Sequence, residues 1–140
     1  MKHLHFDVET AGFYGAYWAC TSGSDCAVIA MIGDDPEDRL ARSAVKWLCG
    51  CGVNVLTMSP AKKDYGHHNY PLERVKTAIS WLKANGNRKI GIAGASTTGT
   101  LALTAAAMFP DITLTIAMTP SDFVWQGFMQ GKKDGCKEWP

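Results

Sequence analysis

The sequence predicts an α/β domain in which a mostly parallel sheet carries helices on both faces and follows an antiparallel hairpin. Four short apolar runs, rich in β-branched residues, alternate along the chain with three segments of helical period. Such alternation is typical of strand–helix–strand units, whose parallel strands are covered on both sides. The length of 140 residues fits a single domain with a substantial core.

Composition excludes several classes of partner. The 14 basic and 13 acidic side chains nearly balance and form no long block of one sign, which argues against nucleic acid as a ligand. No apolar run reaches the roughly 18 residues of a membrane helix, and the amino terminus lacks the apolar stretch of a secretory signal. Because the 5 cysteines are odd in number, we expect a cytoplasmic protein with reduced thiols.

The opening segment, residues 1–25, predicts a β-hairpin. Polar and apolar residues are mixed over residues 3–9 and 15–20, and "AGFYG" between them supplies glycines for a turn. The continuous apolar run "CAVIAMIG", residues 26–33, then predicts a strand covered on both faces. We expect this strand at the centre of the sheet.

The first helix is predicted from "DDPEDRLARSAVKWLCG". Asp35 suits the N-cap, Pro36 suits the first helical position, and Gly50 ends the segment. The apolar residues recur at helical spacing and predict one stripe toward the sheet: Leu40, Ala44, Trp47 and Leu48.

The rest of the predicted core, residues 26–120, continues the alternation. Strands are expected at residues 53–58, 89–93 and 112–118. A helix that opens at Pro71 should turn Leu72, Val75, Ala78, Ile79 and Leu82 inward, and residues 97–109 predict a helix of small residues. Residues 121–140 show no clear period and predict an irregular tail.

One serine stands at the turn between the third parallel strand and its helix, in "GIAGASTTGT". A nucleophile on a sharp strand-to-helix turn needs small neighbours, hence G-x-S-x-G, and ligands of parallel sheets bind at this edge. Around Ser96 the first glycine is Gly94, whereas Thr98 replaces the second and Gly99 comes one place late.

Two other interpretations of this segment stay open. Ser96 can simply cap a helix in a glycine-rich turn. Gly94 and Gly99 also match the glycines of a phosphate loop, but Thr100 and Leu101 stand where that motif needs Lys and Ser or Thr. Nucleotide binding is therefore the weaker of the two.

From residue 26 to "TIAMTPSDFVW" the chain resembles the α/β-hydrolase domain of the acyl-CoA thioester hydrolase and bile acid-CoA:amino acid N-acyltransferase family. The resemblance implies an acyl thioester or ester substrate, no cofactor, and Ser96 as the nucleophile of an acyl-enzyme. It also implies an oxyanion site made by the backbone N–H of Thr97 and by the loop at Gly33 and Asp34. Gly94, Thr98 and Gly99 would shape the turn.

The partners of the serine do not follow it in the sequence. The hydrolase order is nucleophile, acid, histidine, but His3, His5, His67 and His68 all precede Ser96. The resemblance places the acid and histidine on later strands, so we expect an incomplete hydrolase domain of low activity.

Residues within the chain offer weaker substitutes for those partners. His67 or His68 could act as the base, because both follow the second parallel strand. Asp122 could be an acid, and the aromatic residues of the tail could line an acyl pocket or belong to the core. A metal site at His67, His68 and Asp64 would have too few ligands, so we expect no metal.

A non-catalytic interpretation also fits the predicted topology. A half-domain with an exposed sheet edge can act as a binding or assembly module, including self-association. The two interpretations differ in whether Ser96 reacts.

Overall fold

A computed structural model describes residues 3–20, 23–60 and 70–123, which form six strands and four helices. The strands are β1 (Leu4–Phe6), β2 (Gly15–Trp18), β3 (Cys26–Met31), β4 (Asn54–Met58), β5 (Lys89–Ala95) and β6 (Ile112–Met118). The helices are α1 (Val8–Ala11), α2 (Arg39–Gly50), α3 (Glu73–Ala84) and α4 (Thr97–Met108).

The strands of the described residues form one sheet in the order β1-β2-β4-β3-β5-β6. β3 pairs in parallel with β4 on one side and β5 on the other, and β6 continues the parallel part beside β5. β2 is antiparallel to both β1 and β4. The predicted mostly parallel sheet with an antiparallel N-terminal hairpin is therefore confirmed, with β3 inside the sheet.

The first strand is shorter than residues 3–9. It stops at Phe6, and the single turn α1 precedes Gly12, whose φ is 76°. The carbonyl of Asp7 accepts the N–H groups of Thr10 and Ala11, which bends the chain out of the strand. A local backbone turn replaces the last part of the predicted strand.

Helices cover both faces of the sheet, as predicted. α3 and α4 pack on one face, and the inward residues of α3 include the predicted Val75, Ala78, Ile79 and Leu82. α2 packs on the other face through Ala41, Ala44, Val45 and Leu48. The prediction was wrong for Leu40 and Trp47, which are 55% and 49% exposed. Each lies one residue, about 100° of helical rotation, from the side that contacts the sheet.

The β6 edge is open in the described part of the sheet. β6 pairs with β5, and its Leu114 and Met118 are 55% and 38% exposed. An apolar, unpaired strand edge can add a further strand.

The cysteines differ from the expected reduced state. Cys20, which follows β2, and Cys49, in the last turn of α2, form a disulfide with a Cα–Cα distance of 5.1 Å. Cys26 and Cys51 are free, and Cys51 is exposed. The fold brings together two residues that lie far apart in the sequence, at a separation that disulfides require.

Candidate active site

Several of the candidate residues lie at the carboxyl ends of the parallel strands. β3, β5 and β6 run in the same direction, so the residues that follow them lie along one edge of the sheet. Gly33 and Asp34 come after β3, Ser96 comes after β5, and Asp122 comes after β6.

Ser96 occupies a strained turn. β5 ends at Ala95 and α4 begins at Thr97, so a single residue, with φ 55° and ψ −121°, makes the whole connection. Left-handed φ values are costly for residues with a Cβ and cluster at functional sites. The Ser96 N–H donates to the Met118 carbonyl at 2.9 Å, and the Ser96 carbonyl accepts from Gly99 N–H at 2.9 Å. Neighbouring backbone therefore holds the strained conformation.

The Ser96 side chain does not cap α4. Ser96 is exposed and stands at the N-cap position, but its hydroxyl accepts no capping hydrogen bond. A capping serine has extended backbone and accepts an N–H from the first turn. The geometry thus disfavours the interpretation of Ser96 as a helix cap.

The two glycines of the turn are required by close backbone contacts. A Cβ on Gly94 would lie 2.1 Å from the Thr98 carbonyl oxygen, and one on Gly99 would lie 3.0 Å from the Met118 carbonyl oxygen. Gly94 lets α4 start directly above the strand, and Gly99 lets β6 pass close to the helix. Their positions explain why Gly99, one place late, still has a role.

Thr98 occupies the place of the second glycine of the motif. It is buried, at 4% exposure, and its Oγ1 accepts the Ala95 N–H at 2.9 Å. The same Oγ1 lies 2.5 Å from the Met31 carbonyl and 2.9 Å from the Ala95 carbonyl, to either of which it can donate.

The loop between β3 and α2, residues 32–38, is organised by Asp38. Its carboxylate accepts N–H groups from Asp34 at 2.7 Å, Asp35 at 3.2 Å and Ala41 at 2.8 Å. Burial opposes ionisation, but the backbone donors outweigh it, first among them the Ala41 N–H, and the pKa of Asp38 lies below its ordinary value. Gly33, with φ 100°, turns the chain out of β3.

The predicted start of α2 was therefore wrong. Asp38 is the N-cap, and Asp35 instead accepts the Glu37 N–H at 2.9 Å within the preceding turn. Asp38 takes the N-cap position because its carboxylate accepts N–H groups both from the helix, at Ala41, and from the loop, at Asp34. In this arrangement the Asp34 N–H, a candidate oxyanion donor, is directed to the Asp38 carboxylate.

Side chains of the N-terminal hairpin contact the same loop, residues 32–38. The Tyr14 hydroxyl donates to Asp35 at 3.1 Å, and His5 Nδ1 lies 2.8 Å from the Glu37 carboxylate, which His3 also contacts. Sequence reasoning missed this connection, because residues so distant along the chain give no common motif. Asp38 could have been found, since an aspartate directly before the first residues of an amphipathic segment is an N-cap signal.

Of the remaining named candidates for the site's acid and base, Asp122 is the one that lies within the described residues. Asp122 is exposed, and no hydrogen bond between it and Ser96 occurs in the parts described. The neighbouring Ser121 N–H donates to the Thr100 hydroxyl at 2.9 Å, which anchors this segment to α4. His67, His68, Asp64 and the tail residues Trp125, Phe128 and Met129 lie outside the described residues.

The described residues give little support for binding of a metal ion or a phosphate group, or for a membrane-spanning helix. No cluster of three histidine, cysteine or carboxylate side chains there is arranged to hold a metal ion. The one-residue turn at Ser96 leaves no loop to wrap a phosphate group. No helix in those parts is long and apolar enough to cross a membrane.

Comparison with solved structures identifies the fold. An esterase from Pyrococcus furiosus superposes with a TM-score of 0.60 at 23% identity, over 77% of this chain and 44% of that one. Est1E from Butyrivibrio proteoclasticus gives a TM-score of 0.60 at 21% identity, over 86% of this chain and 51% of that one. No protein-family model and no curated protein sequence matches the chain.

These similarities show the α/β-hydrolase fold. The chain spans about half the length of the two matched structures.

Proposed function

We propose that the chain carries the nucleophile of a serine hydrolase that acts on carboxylic esters or thioesters through an acyl-enzyme at Ser96. The observation that carries the proposal is the Ser96 backbone, held at φ 55° with an exposed, uncapped hydroxyl at the carboxyl end of β5. Strained backbone of this kind clusters at active sites, and a nucleophile on a sharp strand-to-helix turn adopts it.

In the proposed reaction the Ser96 Oγ attacks the acyl carbonyl while a general base takes the hydroxyl proton. Collapse of the tetrahedral intermediate breaks the bond to the alcohol or thiol, which leaves with that proton. Water, or an amine in a transfer reaction, then releases the acyl group and regenerates Ser96. The chemistry requires no metal or cofactor.

The oxyanion is assigned to backbone N–H groups at two turns. Thr97 is the first residue of α4, where the helix dipole favours negative charge. Gly33 or Asp34 of the β3–α2 loop provides the second donor. Because Asp34 donates to Asp38, Gly33 is the better candidate of the two.

The acid and the histidine of the proposed triad are assigned to later strands of the hydrolase domain, as the family resemblance implies. The alternative base is His67 or His68, on the segment between β4 and α3. The two versions differ in whether the 140-residue chain reacts without further sequence.

Labelling with a fluorophosphonate tests the nucleophile. The probe is applied to this chain and to a form extended by the coding sequence after Pro140, each with Ser96 intact and as Ser96→Ala. Ser80→Ala is the matched control, since Ser80 is an exposed helical serine whose hydroxyl bonds the Lys76 carbonyl.

We expect labelling of the extended form that Ser96→Ala abolishes and Ser80→Ala leaves intact. Absence of labelling in both lengths, with native circular dichroism, would contradict the proposal. Labelling of the shorter chain that is lost in His67→Ala or His68→Ala would assign the base to that segment.

The substrate class is tested on the form that labels. Release of p-nitrophenol from short- and long-chain esters is compared with release of free thiol from acyl-CoA thioesters. The solved neighbours support esters, and the family resemblance supports thioesters. A ratio of kcat/KM above about tenfold, roughly 1.4 kcal/mol in the barrier, would decide between them.

A second candidate function is favoured by the open β6 edge. Leu114 is 55% exposed on a strand with one described partner, as expected of a surface for strand addition or self-association. Light scattering should then show a dimer or larger species that Leu114→Lys returns to the monomer. A monomer at all concentrations would remove self-association.

A further inference from the structure

The turn at Ser96 departs from the G-x-S-x-G pattern at one place, Thr98. We propose that Thr98 is a positioning residue whose hydroxyl ties the nucleophile turn to β3 and so to the loop that holds the second oxyanion donor. The inference rests on the proposed function and adds a residue to it.

The contacts of Thr98 link two separate strands. Its Oγ1 accepts the Ala95 N–H at 2.9 Å and can donate to the Met31 carbonyl at 2.5 Å. Ala95 directly precedes Ser96, and Met31 is the last residue of β3, two residues before Gly33. The Thr98 Oγ1 therefore contacts both the residue before the nucleophile and the last residue before the β3–α2 loop.

The burial of Thr98 makes this connection costly to lose. At 4% exposure there is little water to replace the hydroxyl as partner of the Ala95 N–H and the Met31 carbonyl. Unpaired polar groups are expensive in such a place. A β-branched side chain also has few rotamers in a helix, so the hydroxyl is held in place.

A glycine at this position would leave the connection unmade. The two turns would then be related through the backbone pairing of β3 with β5, which ends at Met31 and Gly94. The Thr98 hydroxyl extends that pairing by one more contact, at Ala95. Acyl transfer depends on the separation between nucleophile and oxyanion donors, and a displacement of about 1 Å can cost about 100-fold in rate.

The rate measurements use the form that the fluorophosphonate labels, and the hydrogen-exchange measurements use this chain as well. Thr98→Val keeps the shape and removes the hydroxyl, Thr98→Ser keeps the hydroxyl, and Thr98→Gly restores the usual glycine. Thr104→Val is the matched control, because Thr104 lies in the same helix and donates its hydroxyl to the Thr100 carbonyl at 2.9 Å.

We expect Thr98→Val and Thr98→Gly to lower the labelling rate and kcat by about 10- to 100-fold with little change in KM. Thr98→Ser should restore most of the rate, and Thr104→Val should not change it. Equal rates for Thr98→Val and the wild type, or a higher rate for Thr98→Gly, would overturn the proposal.

Amide hydrogen exchange supplies a readout that does not depend on activity. Thr98→Val should speed exchange at Ala95 and also at Asp34, whose N–H donates to the Asp38 carboxylate across the sheet edge. Faster exchange at Ala95 with no change at Asp34 would overturn the coupling. If the wild type is not labelled at Ser96 but both sites respond, the proposed function fails while the coupling stands.

Discussion

Two of the turns at the carboxyl edge of the sheet, those after β3 and β5, place different residue types at a positive φ. After β3 the left-handed residue is Gly33, with φ 100°, inside a seven-residue loop that the Asp38 carboxylate organises. After β5 it is Ser96, with φ 55°, in a connection of one residue. Glycine adopts the positive φ of the first turn without strain, whereas Ser96 is strained in the second.

The difference follows from what each turn presents. The β3–α2 loop offers backbone N–H groups, for which no side chain is needed at the bend, and a glycine serves. The β5–α4 turn offers a hydroxyl, so a residue with a Cβ must take the unfavourable conformation. Small neighbours and backbone hydrogen bonds then offset the strain.

The largest expected effect is at Gly94, on which the one-residue turn depends. The new Cβ of Gly94→Ala would lie 2.1 Å from the Thr98 carbonyl oxygen, and backbone cannot yield as a side-chain tip can. We expect the free energy of unfolding to fall by about 3 kcal/mol or more in urea denaturation.

Gly50→Ala is the control for Gly94→Ala, because Gly50 ends α2 and nothing lies near its added Cβ. It should be neutral or stabilising, by up to about 1 kcal/mol. Equal losses at both glycines would contradict the account of the turn.

Gly33→Ala tests the other turn and should cost about 2 kcal/mol. Its Cβ would lie 2.5 Å from the Asp38 carboxylate, which would have to release its hydrogen bonds. In a background of Asp38→Ala the same substitution should cost about half as much, since the obstructing group is gone. Additive losses in this double-mutant cycle would show that the two residues do not interact.

Removal of the carboxylate in Asp38→Ala should cost about 1 to 2 kcal/mol at pH 7, the usual value of a helix N-cap. Because backbone donors hold the pKa of Asp38 below its ordinary value, this stability is present above about pH 4 and is lost as the pH falls through the folded-state pKa. The difference between wild type and variant, followed by denaturation from pH 7 to pH 2, should therefore shrink in acid. A constant difference would contradict the charge-based account.

The smallest expected effect is at Ser96 and has the opposite sign. Ser96→Gly should raise the free energy of unfolding by about 1 kcal/mol, because glycine adopts φ 55° without strain. Ser96→Ala keeps the Cβ and should give no such gain, although both variants lose labelling. Stabilisation by alanine equal to that by glycine would assign the strain to the hydroxyl and not to the backbone.

The strands were predictable because apolar periodicity and parallel order follow from local sequence. Residues 112–118 were placed as β6 (Ile112–Met118), and β6 pairs beside β5 as the turn argument required. The Ser96 turn was found from glycines and from its place between strand and helix. Its role as the nucleophile stays a prediction.

What the sequence did not reveal depends on residues that meet only in the fold. The start of α2 was wrong because two aspartates, Asp35 and Asp38, compete as caps, and the tertiary contact to Asp34 decides between them. The contact of His5 with Glu37 and the Cys20–Cys49 disulfide join distant segments. No spacing rule reports such pairs.

The inner position of β3 has a consequence for how the chain folds. Ala27 pairs with Asn54 on one side and with Ile90 on the other, so the middle of the sheet is closed by segments made much later in synthesis. Non-local pairing of this kind slows folding, because loop entropy is lost before contacts form. On the ribosome, the flank of β3 that faces β5 should stay open to chaperones until residues 89–95 emerge.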